Sequence, residues 1–129
     1  VPDHPILRGV GDIKVHDEIY YALDRVPGIQ PLFTSHIEGK DEMAAWSWER
    51  ADGGRSFGFV GLHFHANWQL PEYRRFVTQG VLWSVKLPIP ASGVSTEIDS
   101  RKLELNGVLP PIPRSDGERN SSKPANAAK

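Results

Sequence analysis

Polar and apolar positions alternate along residues 14–23 (KVHDEIYYAL), so an extended chain there carries Val15, Asp17, Ile19, Tyr21 and Leu23 on one face. The aromatic and β-branched content predicts a strand. Val26-Pro27-Gly28 turns the chain, and residues 31–38 (PLFTSHIE) predict a second short strand. The strongest local pattern is a hairpin. Residues 45–50 (AWSWER) put Trp46 and Trp48 on one face, and Asp52-Gly53-Gly54 tolerates the positive φ of a tight turn. The return strand spans 55–64 (RSFGFVGLHF). On it Phe57, Phe59, Gly61 and His63 share a face that continues to His65, and Val60, Leu62 and Phe64 share the other. Cover on both faces predicts an internal sheet position.

A helix follows over 71–86. Pro71 suits its first position, and Tyr73, Phe76, Val77, Gly80, Val81 and Ser84 form one stripe. Gly80 and Ser84 are small enough for close approach to a sheet. Glu72, Arg75 and Gln79 are expected to face water, and Pro88 and Pro90 end the helix. Residues 96–106 predict a short amphipathic helix on Ile98, Leu103 and Leu105. Residues 110–129 hold almost no apolar side chain beyond alanine and are expected to be a disordered polar tail.

Composition narrows the chemistry. The 129 residues suit one domain, and 15 Lys+Arg against 16 Asp+Glu leave a net charge of −1. There is no basic excess for nucleic acid and no apolar run long enough for a membrane span. Without cysteine there is no disulfide, thiolate zinc site or thiol nucleophile. The first residue is Val1 and no signal sequence follows, so the chain is read as processed, trimmed or a fragment. One helix is too little cover for four strands, which predicts an incomplete α/β sheet that self-associates or packs on an upstream half.

Candidate chemistry gathers at a few positions. His63 and His65, two apart on a strand, point the same way. They suit either a shared divalent metal such as zinc or the hydroxyls of a sugar, against the alternative of a strand-end cap and a solvated loop residue. Asp17 and Glu18 are adjacent and face opposite ways on a strand. Either is an acid, a base or a hydroxyl acceptor, against one exposed and one paired carboxylate. Trp68 follows the histidines and suits stacking on a sugar ring, while Trp46, Trp48 and Trp83 suit the core. Arg55 is expected to pair with Glu49. His36 with Glu38 is a conceivable addition to a metal set, and His4 is expected in a loop.

Four segments resemble the ThuA-like family (trehalose utilisation): HPILRG at 4–9, DEIYY at 17–21, AWSWERADGGRSFGF at 45–59, and GLHFHANW with the helix to VLWSVKLPIPASGV, ending at 94. The second histidine and the Asn-Trp after it look most like bacterial members. The resemblance implies an α/β domain over 1–94, the C-terminal portion of a flavodoxin-like or class I glutamine amidotransferase-like sheet with a β-hairpin and a closing helix. It implies a role in using trehalose or a related disaccharide, on sugar or keto-sugar substrates, with a small carbohydrate as partner. His63 matches the family's Gly-His position. The amidotransferase cysteine is absent, so that activity is not carried over. Two alternatives stand beside this reading: a non-catalytic sugar-binding or interaction domain, and a metal-dependent hydrolase-like enzyme built on His63 and His65.

Overall fold

A computed structural model describes residues 3–104. Three strands form an antiparallel sheet in the order β1-β2-β3: β1 is Gln30–Ile37, β2 is Lys40–Glu49 and β3 is Arg55–Phe59. One α-helix, α1 (Pro71–Ser84), packs on the sheet, and single turns of 3₁₀-helix lie at Pro5–Leu7, His65–Gln69 and Ser100–Leu103. Among the described residues no helix is long and apolar enough to cross a membrane. The short helix expected within 96–106 is the turn at Ser100–Leu103. The expected polar tail at 110–129 lies outside the described residues.

The 45–60 hairpin has the predicted turn. Gly53 has φ 78°, its amide donates to the Arg50 carbonyl, and the Gly54 amide donates to the Asp52 carboxylate at 2.8 Å. A second hairpin precedes it. Glu38 and Gly39 both take positive φ (51° and 77°), as a two-residue turn between twisted strands requires. Pro31 lacks an N–H and is accommodated on β1, an edge strand among the described residues with irregular register on both sides of Phe33.

The core forms where α1 meets the sheet. Phe76 lies 4.6 Å, ring centre to ring centre, from Phe33, 5.2 Å from Phe57 and 5.3 Å from Phe59. Ile6, Leu32, Ala45, Trp83 and Ile89 complete this cluster. Gly80 lets the Phe57 ring lie against the helix, since a methyl group there would overlap the ring. Gly80→Val is expected to destabilise the protein by about 1–3 kcal/mol by overpacking, measurable as a lower urea midpoint.

Several expectations are corrected. Residues 14–23 form no strand: Ile13, Val15, Asp17 and Ile19 are half-buried and Lys14, His16, Glu18 and Tyr20 exposed, as in an extended chain, but no described strand pairs with them. β3 ends at Phe59 and has only β2 beside it among the described residues, where it is an edge strand rather than an internal one. On α1, Gln79 is fully buried and Val81 is 57% exposed, the reverse of the expected stripe. Arg75 is also engaged, donating to the Val94 and Gly9 carbonyls. Trp83 is core as expected. Trp46 and Trp48 are half-buried on the sheet face away from Phe76, lying against Gly58 and Gly28.

Candidate functional site

The chain leaves β3 through Leu62, which adopts φ 84°. This left-handed residue breaks the two-residue period, so His63 and His65 do not share a strand face. Three successive amides that a strand would offer a neighbour turn instead to one carboxylate. Asp17 Oδ2 accepts from the Leu62 amide at 3.0 Å, and Oδ1 accepts from His63 at 3.0 Å and Phe64 at 3.2 Å. The Tyr73 hydroxyl, from α1, donates to Oδ2 at 3.1 Å. Burial pushes the Asp17 carboxyl up, but the Leu62 and Phe64 amides, the Tyr73 hydroxyl and the His63 amide outweigh it and hold it below its ordinary value of 3.8. Tyr73 is pushed up to about 12, first by burial and then by the Asp17 charge, so its phenol remains a donor at neutral pH.

Asp17 therefore has its oxygens committed to the loop and serves to position His63. Glu18, beside it, reaches the same loop from the exposed side: its Oε2 lies 3.1 Å from His63 Nδ1. The two side chains are 49% and 42% exposed. With Nδ1 facing a carboxylate, Nε2 is the nitrogen left to meet a ligand. Asp17 thus holds the loop through its backbone amides, while Glu18 comes within ion-pair distance of its imidazole.

Trp68 is half-buried and stands edge-on to Tyr73 at 5.6 Å, so it is linked to Asp17 and His63 through the tyrosine. His65 turns elsewhere: its Nε2 donates to the Leu103 carbonyl at 2.6 Å and fastens the 100–103 turn. His36 pairs with Asp41 at 2.9 Å on the β1–β2 hairpin. Among the described residues no group of three or more His, Cys, Asp or Glu side chains is arranged to hold a metal ion. A cavity of about 350 Å³ lies between the 12–19 segment and β1, lined by Ile13, Val15, Ile19, Phe33 and Phe59 rather than by His63 or Trp68.

Sequence reasoning missed two members of this constellation. The helical spacing places Tyr73 on the apolar stripe of α1, yet its hydroxyl end reaches Asp17. Asn67 is buried and donates to the His16 carbonyl at 2.9 Å, tying the loop to the 14–19 segment. The Asn67 signal was present in the sequence, since a polar side chain between aromatic residues on a short turn needs a partner. The Tyr73 contact had no sequence signal, because Asp17 is 56 residues away.

Arg55 pairs with Glu49 at 3.3 Å as expected. His4 departs from its expected loop role. It is buried, caps the first 3₁₀ turn by accepting from the Ile6 amide, and packs on Trp83 at 5.1 Å.

No curated protein and no solved structure gives a significant match to the chain. The family model described as "ThuA: Trehalose utilisation" matches residues 1–84. The matched stretch includes the Asp17–Glu18 segment, both hairpins, the His63 loop and all of α1. The α/β architecture of sheet and closing helix is that of a family with a glutamine amidotransferase-like fold. Since the match spans well over half of the sequence, the chain belongs to the ThuA family, associated with trehalose utilisation.

Proposed function

We propose that Glu18 and His63 form a carboxylate–imidazole pair that handles a proton of a sugar or keto-sugar during the use of trehalose or a related disaccharide. The observation that carries this reading is the 3.1 Å approach of Glu18 Oε2 to His63 Nδ1. A carboxylate on Nδ1 favours the tautomer with its proton there, which leaves the Nε2 lone pair for the substrate. Asp17 acts at one remove, by fixing the backbone from which His63 projects. Trp68, which meets Tyr73 edge-on, offers a ring face on which the C–H face of a pyranose can pack.

The reaction class follows from these parts. An imidazole base with an orienting carboxylate can remove a proton from a carbon beside a carbonyl, and return it. In deuterium oxide the full-length chain is expected to exchange that proton of a keto-sugar, followed by NMR. His63→Ala is expected to slow exchange by about 10²–10⁴-fold, the usual contribution of a positioned acid–base group, and Glu18→Gln to slow it less. Unchanged exchange in His63→Ala with only a lower melting temperature would mean that His63 is a strand-end cap.

The exposure of both side chains favours a second reading, a non-catalytic sugar-binding site, because most catalysis relies on excluding water from the reacting groups. Sugar binding that depends on His63 without any proton exchange would select it. Metal analysis of the same samples covers the hydrolase-like alternative: a divalent ion lost with His63→Ala would replace the proton-transfer reading.

A further inference from the structure

The cavity of about 350 Å³ between the 12–19 segment and β1 has no part in the proton-transfer reading. Its apolar walls are Ile13, Val15 and Ile19 from the segment and Phe33 and Phe59 from the sheet. We propose that this cavity binds an uncharged aromatic molecule the size of a fused bicyclic ring, such as an indole.

The first observation is apolar surface left half-covered inside the fold. Ile13, Phe33 and Phe59 pack against the core on one side, yet all five of these side chains are only half-buried. Among the described residues no backbone hydrogen bond joins the 12–19 segment to the sheet, so side chains alone close the gap. The chain is fastened instead at Asp17, which holds the 62–64 amides, and at Tyr21 and Ala22, which meet Glu38 and Glu42. A guest can therefore lie against β1 without breaking a ladder bond. Covering the open apolar surface supplies the driving force.

The second observation is the size and aromatic character of the space. An apolar cavity of about 150 Å³ holds one benzene ring. The space here is roughly twice that, which suits a fused bicyclic ring. Phe33 and Phe59 lie 4.6 Å and 5.3 Å from Phe76, ring centre to ring centre, so the core fixes both rings. They offer walls against which a further ring can pack offset or edge-on.

Polarity selects between ligand classes. The ionisable residues of the walls are Asp12 and Lys14, both exposed and of opposite sign. A charged guest would give up hydration and meet no net counter-charge. Thr34 and Ser35 add two hydroxyl-bearing residues, enough for one N–H or O–H and too few for the many hydroxyls of a sugar. The occupant is thus of a different chemical class from the sugar or keto-sugar proposed for His63.

The test is a titration of the full chain with indole, and separately with glucose and hexanoate, followed by the methyl NMR signals of Ile13, Val15 and Ile19. An aromatic guest shifts nearby methyl signals by its ring current. Indole is expected to move all three saturably, and glucose and hexanoate to leave them in place. Val15→Phe, which fills the space from the segment side, is expected to abolish the shifts at Ile13 and Ile19. Val15→Thr, nearly isosteric, sets a hydroxyl in the apolar wall and is expected to weaken indole binding by about fivefold or more. Circular dichroism reports whether each variant keeps its fold. His63→Ala is expected to bind indole as the native chain does, which separates this cavity from the proton-transfer site. No saturable shift with indole, equal shifts with glucose or hexanoate, or undiminished binding in Val15→Thr or a folded Val15→Phe would each overturn the proposal. So would shifts that follow protein concentration alone, which would mean that a second copy of the chain fills the gap.

Discussion

Replacing Gln79 by leucine is expected to destabilise the protein by about 3–4 kcal/mol, a large share of the roughly 5–15 kcal/mol that a domain commands. The side chain is fully buried in the middle of α1. Its Nε2 donates to the Ile6 carbonyl at 2.7 Å and the Arg8 carbonyl at 3.0 Å, and its Oε1 accepts from the Val94 amide at 2.9 Å. One amide thus fastens the segment before the sheet and the segment after the helix to the helix itself. Leucine matches the volume but leaves two carbonyls and an amide without partners, each costing about 1–3 kcal/mol unless water reaches it. Gln79→Glu is expected to fail as well, since a carboxylate oxygen would face two carbonyl oxygens. Urea denaturation of both variants checks this. A loss within about 0.5 kcal/mol, the level of an ordinary surface change, would mean that Gln79 faces water after all.

The second large effect is expected at Asp17. Asp17→Asn keeps the shape but sets an NH₂ group against amides that need an acceptor. A loss of about 2–3 kcal/mol at neutral pH follows, together with displacement of the His63 imidazole, because the loop that carries it is released. The pH dependence has a definite sign. Asp17 has its folded-state pKa depressed below 3.8, so its contribution is fully present above that value and is lost as pH falls through the folded pKa. The stability gap between the native chain and Asp17→Asn should therefore be widest near neutrality and shrink as the solution is taken below the ordinary aspartate range. Denaturation midpoints of both proteins across that range measure the gap. A gap that does not change with acidification would mean that the ionised carboxylate is not what holds residues 62–64.

Local rules were enough for some elements. Asp52-Gly53-Gly54 could be read as a tight turn because few other residues accept its backbone angles, and Pro71 with a periodic apolar run could be read as a helix start. The Glu49–Arg55 pair also followed locally, since the two residues face each other across a hairpin. The family resemblance was carried by short motifs in order, which the matched stretch of residues 1–84 bears out.

The rest depended on contacts between residues far apart in the sequence. The alternation at 14–23 was real, but alternation marks an extended backbone and does not say whether a neighbouring strand exists to pair with it. The two-residue period from Phe57 to His65 failed because Leu62 takes a left-handed conformation that its side chain does not advertise. That conformation is held by Asp17, 45 residues earlier. Gln79 looked like a surface residue because its polarity was visible and its three partners, at positions 6, 8 and 94, were not. The amino-acid sequence thus determined the turns, the helix, the family and the residue types available for chemistry. Only the tertiary structure decided which carboxylate faces His63, which one braces the loop and which histidine is spent on Leu103, because hydrogen-bond partners are chosen by proximity in space, and proximity is set by the packing of α1 and the 14–19 segment against the sheet.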